Sequence, residues 1–318
     1  MILDLGFTNI LSKSKIVHLK LKIKKMLYLI LSIVFSVLLL INFRIYPKYN
    51  ISTFQAIAFN YPVCFLTGLA LMPTGQHFEL DMSATWTWFA LLLGVGFIIT
   101  FLLSGASTQK AGMTATSLAN NISLVIPVLA NLLIFNTNGK SFSLLNYLGL
   151  ALAFGAVILS TFKKTDEKVG GRGFDFLLPI AVFLMYGITN TSINYLNLRF
   201  ITSTDKTVPV TLVMVFGAVV AGLVSLAIQL LRGKEVFDWK NILASITLGV
   251  PNFLSFYFLL LALSHFANSG AFVYPIYNIG VILLTAVVSI LFFKEKLSLL
   301  NKIGFVLAIL AIVLISWQ

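Results

Sequence analysis

Amides, hydroxyls and phenols stand inside otherwise apolar stretches of this chain: Gln55 and Asn60; Asn120, Asn121 and Asn131; Asn190 and Asn194; Asn252 and Ser255; Tyr274, Tyr277 and Asn278. Such groups hydrogen-bond without carrying charge. In hydrocarbon they are costly and face a helix-bundle interior or a water-filled path. The chemistry they fit is recognition of a neutral or zwitterionic solute, with Phe-rich walls covering its apolar part. Any one of them reads equally well as a hydrogen bond to a neighbouring helix. Taken as a set they point to cavity lining, and Asn120, Asn121, Asn190, Asn194, Asn252, Ser255, Tyr274, Tyr277 and Asn278 are the substrate-binding candidates.

Other chemistries lack their parts. Glu79, Asp81, Asp166, Glu167, Asp175, Asp205, Glu235, Asp238 and Glu295 all fall in or beside expected loops, and His18, His77 and His265 are far apart in the chain. Paired-carboxylate, metal and Ser/His arrangements are therefore not expected. Gly139-Lys140-Ser141 matches the end of a phosphate-binding loop, but Ile134 stands where that loop needs its first glycine. Cys64, the one cysteine, offers neither a disulfide nor a thiolate metal site.

Pro127, Pro251 and Pro275 each withhold an N–H inside an expected helix. The freed carbonyls are open to two readings, a packing kink or a broken helix that shows carbonyls to substrate. Arg44 reads as a cation snorkelling to the interface more readily than as an anion-capture group. Lys110 and His265, at equivalent short turns, read as interfacial flanks or as gates of two mouths.

The elements that must position these residues are set by composition. Of 318 residues 59% are hydrophobic and 10% charged, against roughly 45–50% and 25% in soluble domains, which excludes a water-soluble globule. Apolar runs fall at 27–46, 52–72, 85–107, 113–135, 144–162, 175–198, 208–231, 239–261, 267–293 and 298–316. Each is long enough to cross the bilayer as a helix, and continuous rather than alternating runs exclude a β-barrel. The fold expected is an all-α integral membrane protein of ten transmembrane helices. The formal charge of +12 lies between the runs, where flanking lysines orient helices, and there is no basic-aromatic cluster for nucleic acid. Trp86, Trp88, Trp239 and Trp317 lie near expected helix ends, as interfacial anchors do.

A shift of 155 residues lays the chain on itself. Leu93-Gly94-Val95 meets Leu248-Gly249-Val250, Ser143-Leu144-Leu145-Asn146 meets Ser298-Leu299-Leu300-Asn301, Gly149 meets Gly304, and Ala156 meets Ala311. The register holds without a gap from the third to the fifth run and from the eighth to the tenth. The first two runs of each half match only loosely. Five helices per copy is an odd number, so the copies are expected to be inverted, with a midplane site between them and alternating access by rocking of the halves. The expected units are a basic extension at 1–25, a first five-helix repeat at 26–162, a linker at 163–174 and a second, inverted repeat at 175–318. Because Met26 opens the first apolar run directly, residues 1–25 are also read as an over-long gene start.

Phe292-Phe293-Lys294-Glu295-Lys296-Leu297-Ser298 running into Asn301-Lys302-Ile303-Gly304, with the segments Tyr46-Pro47-Lys48-Tyr49-Asn50 and Tyr274-Pro275-Ile276-Tyr277-Asn278, resembles the EamA-type branch of the drug/metabolite transporter superfamily over residues 26–318. The resemblance implies a secondary transporter of small metabolites, often an exporter. Its cavity would be lined by helices 1, 3, 4, 6, 8 and 9, with helices 5 and 10 peripheral. Lys140 stands where the first repeat would carry a counterpart of Glu295, so a symmetrical pair of glutamates is not expected.

Lys and Arg are more numerous in the loops on the side opposite the termini, which by loop charge alone puts the termini outside. The resemblance implies cytoplasmic termini, the reading preferred here because Asp166, Glu167, Glu235 and Glu295 offset several of those charges. The location expected is the bacterial cytoplasmic (inner) membrane. The partners expected are a small-molecule substrate and the lipid bilayer, with a homodimer compatible, and neither nucleic acid, cofactor nor metal. The scarcity of deep carboxylates favours facilitated diffusion or exchange over proton coupling. A non-transporting scaffold or receptor subunit is the alternative; a membrane-embedded enzyme would need clustered His or acidic residues facing the bundle.

Overall fold

Long apolar runs in hydrocarbon close their backbone hydrogen bonds within themselves, and helices are the outcome. The computed structural model describes residues 26–130, 134, 143–161, 175, 177–200, 207–266 and 270–317. The extension 1–25, the linker 163–174, Asn131 and Asn138-Gly139-Lys140-Ser141 lie outside the described residues. Helix α1 spans Met26–Tyr49, its last turn Tyr46–Tyr49 tightened to 3-10 geometry. The others are α2 (Thr53–Ala70), α3 (Thr85–Lys110), α4 (Met113–Ile122), α5 (Val125–Ala130), α6 (Leu144–Thr161), α7 (Leu177–Phe200), α8 (Thr207–Leu231), α9 (Trp239–His265), α10 (Gly270–Phe293) and α11 (Leu299–Ser316). No strand occurs among the described residues.

Eight helical segments among those residues are long and apolar enough to cross a membrane, α4 and α5 together making one of them. Two helices fall short. The apolar stretch of α6 is the shorter Leu144–Leu159, and α2 is interrupted by Gln55, Asn60, Tyr61 and Pro62. Outward faces carry exposed Leu92, Leu243, Leu291 and Val306, and Trp88, Trp239 and Trp317 stand exposed at helix ends.

Helix α6 lies along α11, α2 along α9 and α8, α3 along α8 and α7, and α4 against α10 and α7. The α6–α11 pair is fastened at both ends. Ser143 and Asn146 cap the start of α6, with Ser143 N and Oγ donating to Asn146 Oδ1 at 2.8 Å each. Ser298 and Asn301 repeat the capping box at the start of α11. Each asparagine then spends its amide N–H groups on the far end of the other helix. Asn146 Nδ2 donates to Leu314 O, Ile315 O and Trp317 O at 2.9, 3.1 and 3.0 Å, and Asn301 Nδ2 to Leu159 O at 3.4 Å. The helices are therefore antiparallel, and between the clasps they touch through Ala153, Ala156, Ala308 and Ala311, all fully buried. Small residues at such a seam let backbones approach where lipid supplies no hydrophobic drive.

Gly149 marks the closest approach: a Cβ there would lie 2.8 Å from Ile315 N and 3.0 Å from Ala311 O, backbone atoms that cannot step aside. Gly155, on the same helix, faces open space. Gly149→Val is expected to lower stability by about 1–3 kcal/mol through overpacking, while Gly155→Val changes it little. Thermal melts of both variants in detergent check the pair; equal losses would mean that the seam is not tight at Gly149.

Candidate binding cavity

Pro127 has no N–H to offer the Ser123 carbonyl, its partner one turn back. That carbonyl accepts from Ile126 N at 3.0 Å instead, while Ser123 Oγ donates to Asn120 O at 2.5 Å. The helix breaks at Ser123-Leu124, which separates α4 from α5. The sequence-based reading has one helix here.

Around this break opens a cavity of about 460 Å³, within the roughly 300–1,000 Å³ usual for ligand sites. Both halves of the chain contribute: Asn121, Pro127 and Ala153 from the first, and Asn190, Asn194, Tyr274, Pro275 and Asn278 from the second, with Ala311, Ile312, Ile315 and Ser316 of α11. Among the described lining residues none is ionisable except Tyr274. Asn121 donates its amide to Ser117 O at 2.7 Å, with Ser117 Oγ at 3.4 Å, so it offers the cavity its Oδ1 acceptor. The carboxamides of Asn190 and Asn278 have no hydrogen-bond partner among the described residues, although Asn278 is only 5% exposed. The walls are aliphatic, from Ile122, Leu124, Val125, Val128 and Ile193. This differs from the expectation of Phe-rich walls; Phe253 of α9, for one, packs on Phe256 and Tyr257 instead.

Of the sequence-based candidates, Asn121, Asn190, Asn194, Tyr274 and Asn278 meet in this cavity, and Asn120, Asn252, Ser255 and Tyr277 do not line it. Three of those four are hydrogen-bonded elsewhere. Asn252 Nδ2 donates to Asn60 Oδ1 at 3.4 Å. Ser255 Oγ donates to Asn252 O at 2.9 Å, and its carbonyl accepts from Ser32 Oγ at 2.6 Å. The Tyr277 hydroxyl pairs with Ser36 Oγ at 2.6 Å. Thr100 and Thr189 pair between α3 and α7 at 3.2 Å. Among the described residues α1, α3 and α9 contribute no wall residue, whereas α6 and α11 do. That differs from the arrangement the resemblance implies.

Pro251 takes the packing reading. The Thr247 carbonyl it frees accepts from Asn42 Nδ2 at 3.0 Å, and Thr247 Oγ1 returns a bond to Asn42 Oδ1 at 2.6 Å. Asn42 escaped the sequence reading because it stands near the end of its apolar run; the offset between Pro251 and Thr247 was the signal that a donor had to come from elsewhere. Arg44 donates to Thr108 O and Gln109 O at 3.4 and 3.2 Å, a cation at the C-terminus of α3 rather than in the cavity. Gln55 joins a knot at one end of the bundle: its Nε2 and Ser52 Oγ donate to Glu235 Oε2 at 2.7 and 3.0 Å, and Asn241 Nδ2 donates to Gln55 Oε1 at 2.9 Å. Lys110 pairs with exposed Asp175 at 3.2 Å, and His265 sits edge-on to Tyr28. The Glu295 carboxylate lies against Gly112, at the start of α4, where a helix N-terminus favours negative charge.

Residues 176–317 match the model of the EamA-like transporter family, the family read from the sequence. A Haemophilus influenzae protein described only as uncharacterized is 28% identical over 288 residues, spanning 89% of this chain and 95% of its own. A solved crystal structure aligns with a TM-score of 0.54 at 14% identity, covering 89% of this chain and 96% of its own; at that identity the likeness is one of fold. With its apolar helices, the match points to an integral, multi-pass membrane protein.

Asn42→Leu is expected to destabilise by about 1–3 kcal/mol, the cost of stranding a buried carbonyl. In a Pro251→Ala background the restored N–H can serve Thr247 O, and the penalty shrinks. A double-mutant cycle by thermal denaturation measures this; additive losses would refute the assignment of Asn42 as the donor that replaces the missing N–H.

Proposed function

From the EamA-like match of the second half as premise, we propose that this protein is a secondary transporter of a small neutral or zwitterionic organic metabolite, working by alternating access through the cavity between two inverted halves. The observation that carries the reading is the makeup of that cavity: Asn121 of the first half and Asn190 and Asn278 of the second converge on one space. The halves are read as residues 26–162 and 175–318, five helices each, ten crossings in all.

Several observations support the inversion. Leu159 moved by 155 positions is Leu314, so the bonds Asn146 to Leu314 O and Asn301 to Leu159 O are counterparts under the sequence repeat. A Cβ on Gly249 would meet Asn60 O and Val63, and one on its counterpart Gly94 would meet Met214, Gly217 and Ala218; the 155 shift carries 60–63 onto 215–218. The register thus reaches helices whose sequences match only loosely. The neighbour pairs obey the same exchange, α2 with α9 answering α8 with α3, while α6 with α11 and α4 with α10 map onto themselves.

The described lining residues include no carboxylate, lysine, arginine or histidine, so the mechanism we favour is facilitated diffusion or exchange. The membrane we assign is the bacterial inner membrane, with cytoplasmic termini. In liposomes loaded with candidate solutes, counterflow is expected for the true substrate, and an imposed ΔpH drives no accumulation. Replacing Asn121, Asn190 and Asn278 together by Leu is expected to abolish counterflow, whereas Asn252→Leu lowers stability and leaves flux per folded protein within about twofold. Unchanged flux in the triple variant would refute the site; accumulation under ΔpH would refute the uncoupled mechanism.

A further inference from the structure

Resting on that reading of the cavity, we infer that its ligand is uncharged and presents a planar cis-amide edge, as in a lactam, an imide or a cyclic ureide. The first step is charge. Nothing ionisable lines the cavity among the described residues except the Tyr274 phenol, so a carboxylate or ammonium entering it would lose water with no counter-ion to replace it. That disfavours ions and zwitterions.

The second step is the hydrogen-bond inventory. Asn278 is 5% exposed and Asn190 partly buried, yet neither carboxamide has a partner among the described residues. Both carboxamides border the cavity with donor and acceptor uncommitted to the protein, so a ligand there can use them. A carboxamide sets a C=O acceptor beside an N–H donor in one plane, and the partner that satisfies both at once is another planar N–H and C=O pair. The same geometry lets Asn read a nucleobase edge with two bonds. Asn121 differs, because its N–H is tied to Ser117 O at 2.7 Å and only its oxygen is left to accept. The site therefore offers two donor–acceptor edges and one further acceptor, a pattern for a ring carrying more than one N–H. The aliphatic walls from Ile122, Val125, Ile193 and Ile312 suit the faces of such a ring, and about 460 Å³ admits a bicycle.

The test uses the purified full chain in nanodiscs, titrated calorimetrically with uracil, hypoxanthine, 1,3-dimethyluracil and leucine. Uracil and hypoxanthine are expected to bind, dimethyluracil, whose N–H groups are blocked, at least tenfold more weakly, and the zwitterion leucine not at all. Asn278→Leu and Asn190→Leu should each weaken uracil or hypoxanthine binding at least tenfold. Because each removes an unpaired amide, their melting temperatures should hold, which separates loss of the site from loss of fold; Asn278→Gln, which keeps the edge, should retain part of the binding. Equal binding of uracil and dimethyluracil, binding indifferent to both Leu variants, or no binding of either lactam overturns the inference. Counterflow assays keep the two readings apart. Lactam binding without flux would sink the transporter and leave this ligand class standing, whereas asparagine-dependent counterflow of leucine would do the reverse.

Discussion

Hydrocarbon withdraws water as a hydrogen-bond partner, and the fold follows from that withdrawal. At two prolines where a helix loses an internal bond, a replacement comes from close by. At Pro127 the spare carbonyl turns to Ile126 N, and the helix splits into α4 and α5. At Pro251 the spare carbonyl is met by Asn42 from α1, and α9 continues unbroken. The difference is supply. Asn42 is a donor from a neighbouring helix, so the ladder of α9 needs no local change, whereas Ser123 finds its donor one residue early and the backbone must turn to reach it.

Helix ends obey the same rule, since their last carbonyls have no internal partner. The α3 end is met by Arg44, and the α6 and α11 ends by each other's capping asparagines. In the α6–α11 pair one residue type does two jobs: Asn146 caps its own helix through Oδ1 and closes the other through Nδ2. Because Asn301 does the same, the clasp fixes the register of the pair at both ends, and the buried alanines between need only be small.

The all-helical build and the eight apolar spans were legible in the sequence because length and hydropathy are local properties. The break at Ser123 was half legible, since Pro127 marked the missing bond while the direction of repair depended on neighbours. The site was legible by residue type and not by membership. Asn252 and Asn278 look alike in sequence, each beside a proline or an aromatic in an apolar run, yet Asn252 reaches Asn60 across a helix seam and Asn278 faces open volume. The Ser255 carbonyl and the Tyr277 hydroxyl are taken up at seams with α1, by Ser32 and Ser36, residues that hydropathy treats as incidental. Pairing between helices far apart in the chain decides such cases, and no window of a single helix contains it.

Lack of a protein partner does not by itself mark a functional group, since Asn60 Nδ2 and Tyr61 Oη are buried without one among the described residues and lie away from the cavity; a binding group must also border open volume. A polar side chain kept within the bilayer must recover its hydration from somewhere, and most of those here do so within the protein: Asn42 from Thr247, Asn146 from the end of α11, Gln55 from Glu235 and Asn241. Those bonds stabilise one arrangement of helices. Asn190 and Asn278 recover nothing among the described residues and border a volume large enough for a guest. A fold that satisfies carbonyls across helices as far apart in sequence as Asn42 and Thr247 had the means to satisfy two amides, or to replace them with leucine at no loss of stability. Leaving them open keeps two donor–acceptor edges available to whatever completes them, which is what a binding site requires.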